Sequence, residues 1–110
     1  MTGGLVDSAV FGELEDNVGA DFAAELVATF LSDADTMFDT LAAAVTSQDR
    51  DSYRRASHSL KSNAQTFGAT LLAEQARDME LSEVIDAGQL ANLRVTFEKT
   101  AAALRDLVDG

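Results

Sequence analysis

The chain has 110 residues, 46% of them hydrophobic, which suits one ordinary domain with a modest core and excludes a disordered polar chain. A net charge of -11 argues against nucleic acid and anionic membranes as partners, since phosphate-rich surfaces need cations to neutralise them. The absence of cysteine excludes disulfides and thiolate zinc sites and is compatible with a reducing compartment, and the absence of proline suits uninterrupted helices.

The N-terminal stretch Met1-Thr2-Gly3-Gly4 lacks the basic flank and long apolar run of a signal peptide, and no later run approaches bilayer-spanning length. A soluble cytoplasmic protein is therefore expected. Val10, Phe11 and Leu14 at helical spacing predict a short helix from about Asp7 to Asn17, capped by Asp7 or Ser8. Gly19 breaks the chain, and Asp21 offers the next cap.

A long helix is predicted from about Asp21 to Val45. Phe22, Leu26, Phe30, Met37, Leu41 and Val45 recur at three- and four-residue steps, and Val27, Leu31 and Phe38 widen the stripe. The polar stretch Thr46-Ser47-Gln48-Asp49 separates it from a third helix, about Asp51 to Phe67. Gly68 and Gly88 bound a fourth, about Thr70 to Val84. A fifth runs from about Gln89 to Val108, with Leu90, Leu93, Phe97, Ala101, Leu104 and Val108 in the apolar pattern of a bundle helix. No segment alternates as a strand does. The expected fold is all-α, an antiparallel four-helix bundle with a short additional N-terminal helix, residues 1–110 forming a single domain. Its core should include Phe30, Leu41, Leu60, Phe67, Leu72 and Phe97.

The third helix carries the single histidine, His58. At about 100° per residue, Tyr53, Ala56, Leu60, Ala64 and Phe67 share one side, and His58 points roughly 160° away from them. His58 is therefore expected to face solvent from the middle of a bundle helix. Arg54, Arg55, Lys61, Ser62 and Gln65 lie on its face, and no acidic residue occurs between Asp51 and Glu74. In so acidic a chain this is a cationic island around the one imidazole. Neutral imidazole is a competent nucleophile, an ordinary histidine titrates near pH 6.5, and phosphoryl transfer asks mainly for in-line positioning and charge neutralisation. Lys61, one turn on, could reach an anion on the ring, and Ser62 leaves room for another surface. No acidic cluster for magnesium and no Gly-rich phosphate loop accompany the histidine, so the constellation is half of a site.

The string Ala56-Ser57-His58-Ser59-Leu60-Lys61-Ser62-Asn63-Ala64-Gln65-Thr66-Phe67-Gly68-Ala69 resembles the signature of histidine-containing phosphotransfer (HPt) domains. That signature is a histidine, a leucine-lysine pair, small residues and a later Gly-Ala pair. The likeness continues through Leu72, Ala76 and Asp78-Met79-Glu80, and the stretch around Thr66-Phe67-Gly68 is also similar to the phosphotransfer domain of chemotaxis kinases. Ser62 stands where many members have glycine. The resemblance implies that His58 is phosphorylated and that Lys61 steadies the phosphoryl group. It further implies that Glu80 hydrogen-bonds the other imidazole nitrogen, with Gln65 and Arg77 at the border of the site.

The implied partner is a response-regulator receiver domain whose own aspartate and Mg2+ supply most of the catalysis, the protein itself holding no cofactor or metal. A sensor histidine kinase is a second partner. Docking would use the first-helix region and the exposed end of the bundle. The chain is expected to be a monomer, because the bundle leaves no apolar stripe over and the charge opposes self-association. The rival readings are a non-catalytic helical interaction module and an acidic carrier protein, for which Asp51-Ser52-Tyr53 is a faint echo of a pantetheine attachment string. A lone histidine without cysteine makes a poor zinc site and cannot form a nucleophile-base pair with itself.

Overall fold

A computed structural model describes residues 5–109; the Met1–Gly4 stretch and Gly110 lie outside the described residues. Five helices and no strand occur among the described residues: α1 (Ser8–Val18), α2 (Ala20–Ser47), α3 (Arg50–Thr66), α4 (Thr70–Leu81) and α5 (Ala87–Asp109). The last four form a ring in which α3 packs on α2 and α4, and α5 on α2 and α4. Short connections make successive helices antiparallel. Arg50, at the start of α3, donates to the carbonyl of Ser82, just past the end of α4, at 3.2 Å. Tyr53, also near the start of α3, donates to Gln89 Oε1 in the first turn of α5 at 3.1 Å. Burial pushes the Tyr53 phenol above its ordinary value of 10.0.

The six expected core residues are all buried. Phe30 stacks on Phe67 with ring centroids 5.1 Å apart and meets Phe97 edge-on at 6.2 Å, so one aromatic cluster ties α2, α5 and the end of α3 together. The buried line of α2 differs from the expected stripe. It runs through Ala23, Val27, Phe30, Ala34, Phe38, Leu41 and Ala44, while Phe22 is 50% exposed and Leu26, Leu31, Met37 and Val45 only flank the core. Alanines sit at the centre of this face because they let neighbouring helices approach closely. Large apolar residues on the shoulders drew the sequence-based stripe sideways.

The caps bear out one of the two expected for α1 and correct three other helix boundaries. Asp7, not Ser8, caps α1, accepting from the Ala9 N–H at 3.0 Å. Gly19, with φ +89°, precedes α2 as its cap residue and offers no side-chain cap; Asp21 lies inside the first turn, where its charge complements the helix dipole. Helix α4 stops at Leu81, short of Val84, because the Ser82 hydroxyl donates to the Val84 carbonyl at 2.7 Å and accepts from its N–H at 3.2 Å, replacing the helical bonds. Helix α5 then starts before Gly88, with the Asp86 carboxylate accepting from the Gly88 N–H at 2.7 Å.

Helix α1 lies on α2 and α3 and buries Phe11, and the chain before it is tied to the α3–α4 turn by a 2.7 Å bond from the Asp7 N–H to the Gly68 carbonyl. Gly68 has φ +73°, and a Cβ there would stand 2.8 Å from the Asp7 carbonyl oxygen and 2.9 Å from Val10 Cβ. Only glycine serves both the turn and the close approach of α1.

Candidate functional site

Helix α3 starts at a strong cap. The Asp49 carboxylate accepts from the Ser52 N–H at 3.2 Å and the Ser52 hydroxyl at 2.8 Å, and these bonds hold its carboxyl below the ordinary 3.8. With the register set there, Tyr53, Ala56, Ser57, Leu60 and Ala64 turn into the bundle. Ser57 was not expected inside; it is tolerated because its hydroxyl donates to the Tyr53 carbonyl at 2.7 Å. The opposite face presents His58, whose side chain is 57% exposed, as the helical geometry requires.

Helix α4 brings Glu80 across from it. One Glu80 oxygen lies 2.7 Å from His58 Nδ1 and the other 2.6 Å from Lys61 Nζ. The carboxylate thus bridges two residues one helical turn apart. The hydrogen bond from Lys61 lowers the Glu80 carboxyl below its ordinary 4.5; partial burial opposes this, and the contact with His58 adds to it. An ionised carboxylate only accepts hydrogen bonds, so the proton between the two groups belongs to Nδ1. In the neutral ring Nε2 then carries the lone pair, on the side of the imidazole away from Glu80. The arrangement yields one exposed nucleophilic nitrogen with its tautomer fixed.

Lys61 and Glu80 are 19% and 18% exposed, so this ion pair is better shielded than a surface pair. On the other side of His58, Arg54 and Arg55 each reach Asp51 at 3.0 Å. These two arginines, His58, Ser59 and Glu80 line one shallow depression. Ser62 is exposed one turn beyond His58. Gln65 and Arg77 do not join the depression; they line a separate groove with Val10, Gly68, Thr70, Ala73 and Glu74, between α1 and the α3–α4 turn.

Sequence reasoning missed Asp51 and Ser59 as parts of the site. The signal for Asp51 was its spacing, three and four residues before Arg54 and Arg55, the helical distance at which charges meet. The sequence before Arg50 contains no lysine, arginine or histidine, so all eight lysines and arginines belong to α3, α4 and α5 and the charged side chains of α1 and α2 are all acidic. Among the described residues no group of three or more His, Cys, Asp or Glu side chains could hold a metal ion, and no helix is long and apolar enough to cross a membrane.

The Hpt domain family model matches residues 25–110. Among solved structures, the histidine-containing phosphotransfer protein B (HptB) of Pseudomonas aeruginosa PAO1 is similar. It is 27% identical, with a TM-score of 0.74 over 99% of this chain and 94% of that one. No curated protein matches.

Proposed function

The chain belongs to the Hpt domain family, the phosphotransfer proteins, and from that premise we propose that His58 carries the phosphoryl group. The observation that carries this reading is the contact between Glu80 and His58 Nδ1, at 2.7 Å, on an otherwise exposed imidazole. In the proposed step the Nε2 lone pair attacks the phosphorus of a receiver domain's aspartyl phosphate. A P–N bond forms, the P–O bond to the aspartate breaks, and the aspartate leaves as a carboxylate. The positive charge gained by the ring is met at Nδ1–H by Glu80, and Lys61 holds the other Glu80 oxygen while keeping a positive charge one turn away. Reversal of the same step passes the group on to another receiver.

Helical exposure leaves Nε2 open to a partner that supplies the rest of the site, the acceptor aspartate and its Mg2+. Response-regulator receivers and a sensor histidine kinase are the partners this reading names. It places the chain in the cytoplasm as a monomeric single domain over residues 1–110. Gln65 and Arg77 line their own groove beside α1, a secondary contact surface for the partner and not part of the phosphoryl site. Ser62 keeps the approach to His58 low. The test is incubation with a phosphorylated receiver and Mg2+: label should move to this chain in a linkage labile to acid and stable to base. Label in a base-labile ester would overturn the assignment.

A further inference from the structure

We infer that the phosphoryl charge on His58 is met by Arg54 and Arg55, handed over from Asp51, and not by Lys61. The inference rests on the reading of His58 as the phosphorylated residue and assigns the anion-binding side of that site. Three observations carry it.

Lys61 is already engaged. Its ammonium lies 2.6 Å from Glu80 Oε1, and both side chains are more than four-fifths shielded. Moving it to a phosphoryl group would strip Glu80 of the partner that holds one of its oxygens while the other meets Nδ1. The same motion would weaken the tautomer control that makes Nε2 nucleophilic.

Second, the geometry of the ring separates the two sides. Nδ1 is held by Glu80, so a group on Nε2 leaves from the other side of the ring, beside a depression that Arg54, Arg55, Ser59 and Glu80 line with the histidine and whose lining cations are the two arginines and not Lys61. The arginines sit four and three residues before His58, the helical spacing that places side chains beside one another.

Third, their present anion is easy to exchange. Arg54 and Arg55 are 58% and 71% exposed and share one carboxylate that is itself 60% exposed. Exposed pairs of this kind contribute little, so a phosphoryl dianion on the neighbouring ring can take the guanidinium groups at small cost. Guanidinium offers paired donors that match phosphoryl oxygens. Asp51 thus keeps the two cations from repelling one another, and from binding stray anions, until the phosphoryl group arrives.

The test uses the full chain phosphorylated directly with phosphoramidate. With a single histidine there is one product, and phosphorus NMR follows the titration of its phosphoryl group. Arg54→Gln combined with Arg55→Gln should raise the proton affinity of that group about two- to fivefold, the scale of exposed ion pairs. Asp51→Asn should lower it, because both arginines are released. Lys61→Ala should shift it less than the double arginine variant does. Arg50→Gln, which removes one charge, half that of the double variant, from a residue bound to the Ser82 carbonyl, should leave the midpoint in place.

A double arginine variant that titrates like the parent chain would overturn the inference. So would an Arg50→Gln shift of half that size or more, since that would show a diffuse field and no contact. Failure of phosphoramidate to modify His58 at all would instead overturn the reading beneath it, along with this one.

Discussion

Glu80 joins His58 and Lys61 through its two oxygens, at 2.7 Å and 2.6 Å, so the imidazole is oriented by a carboxylate that a lysine in turn holds in place. The chain of contacts explains why an exposed side chain on a helix surface has a defined tautomer. It also makes Glu80 the residue through which the chemistry of His58 is most readily altered without touching the nucleophile.

Glu80→Ala should slow phosphoryl transfer to His58 by about ten- to a hundredfold, the scale of one charge-assisted hydrogen bond. Labelling should fall in rate but not vanish, because Nε2 remains. Stopped-flow or quenched-flow transfer from a phosphorylated receiver measures it, and an unchanged rate would show that the Nδ1 contact has no part in the step. Lys61→Ala should act in the same direction, with a loss in the same range, by loosening Glu80.

The Glu80 carboxyl is held below its ordinary 4.5, so the folded state binds this proton less readily than the unfolded chain does. Its contribution to stability is therefore present above pH 4.5 and is lost as pH falls through the lowered folded value. Urea unfolding of the parent chain and of Glu80→Gln should differ near neutral pH and converge in acid below 4.5. A difference that grows with acidity would contradict the assignment.

Two glycines should respond in opposite directions. Gly68→Ala places a Cβ 2.8 Å from the Asp7 carbonyl oxygen at φ +73° and should destabilise by about 1–3 kcal/mol, loosening α1 first. Gly12, inside α1 with nothing within 4 Å of a built Cβ, should tolerate alanine and gain about 0.5–1 kcal/mol. Urea midpoints of the two variants provide the comparison. Equal effects would mean that α1 does not dock on the α3–α4 turn.

Core and site should separate cleanly. Leu60 is fully buried on the side of α3 facing away from His58, and Leu60→Ala should cost about 2–5 kcal/mol. His58→Gln, at an exposed position, should change stability by less than about 0.5 kcal/mol. Thermal unfolding of both variants tests whether the site sits on the surface of the bundle.

Helical spacing alone placed His58 on the outer face, and the buried side of α3 follows the same arithmetic, because the large apolar residues of this helix, Tyr53 and Leu60, both sit at core positions. On α2 they do not. Ala23, Ala34 and Ala44 hold the centre while Phe22 is left in solvent, and no count of hydrophobicity ranks alanine above phenylalanine. The end of α4 was illegible for another reason: the Ser82 side chain competes with the helix by a local bond to Val84. Glu80 entered by resemblance, since nothing in the spacing of α3 says which residue of α4 comes to face it. Asp51 was readable from its distance to Arg54 and Arg55, but its relation to the histidine emerges only when all three line one side of the helix. Gln65 shares the face of His58 yet lies far enough along α3 to belong to the groove beside α1.

The most direct measurement compares the parent chain with His58→Gln after incubation with several phosphorylated receiver domains and Mg2+, followed by mapping of the modified residue. The parent should take up one acid-labile, base-stable phosphoryl group on His58, and His58→Gln, folded and equally helical, should take up none. Label that survives in His58→Gln would contradict the account, because the sequence holds no second histidine to receive it.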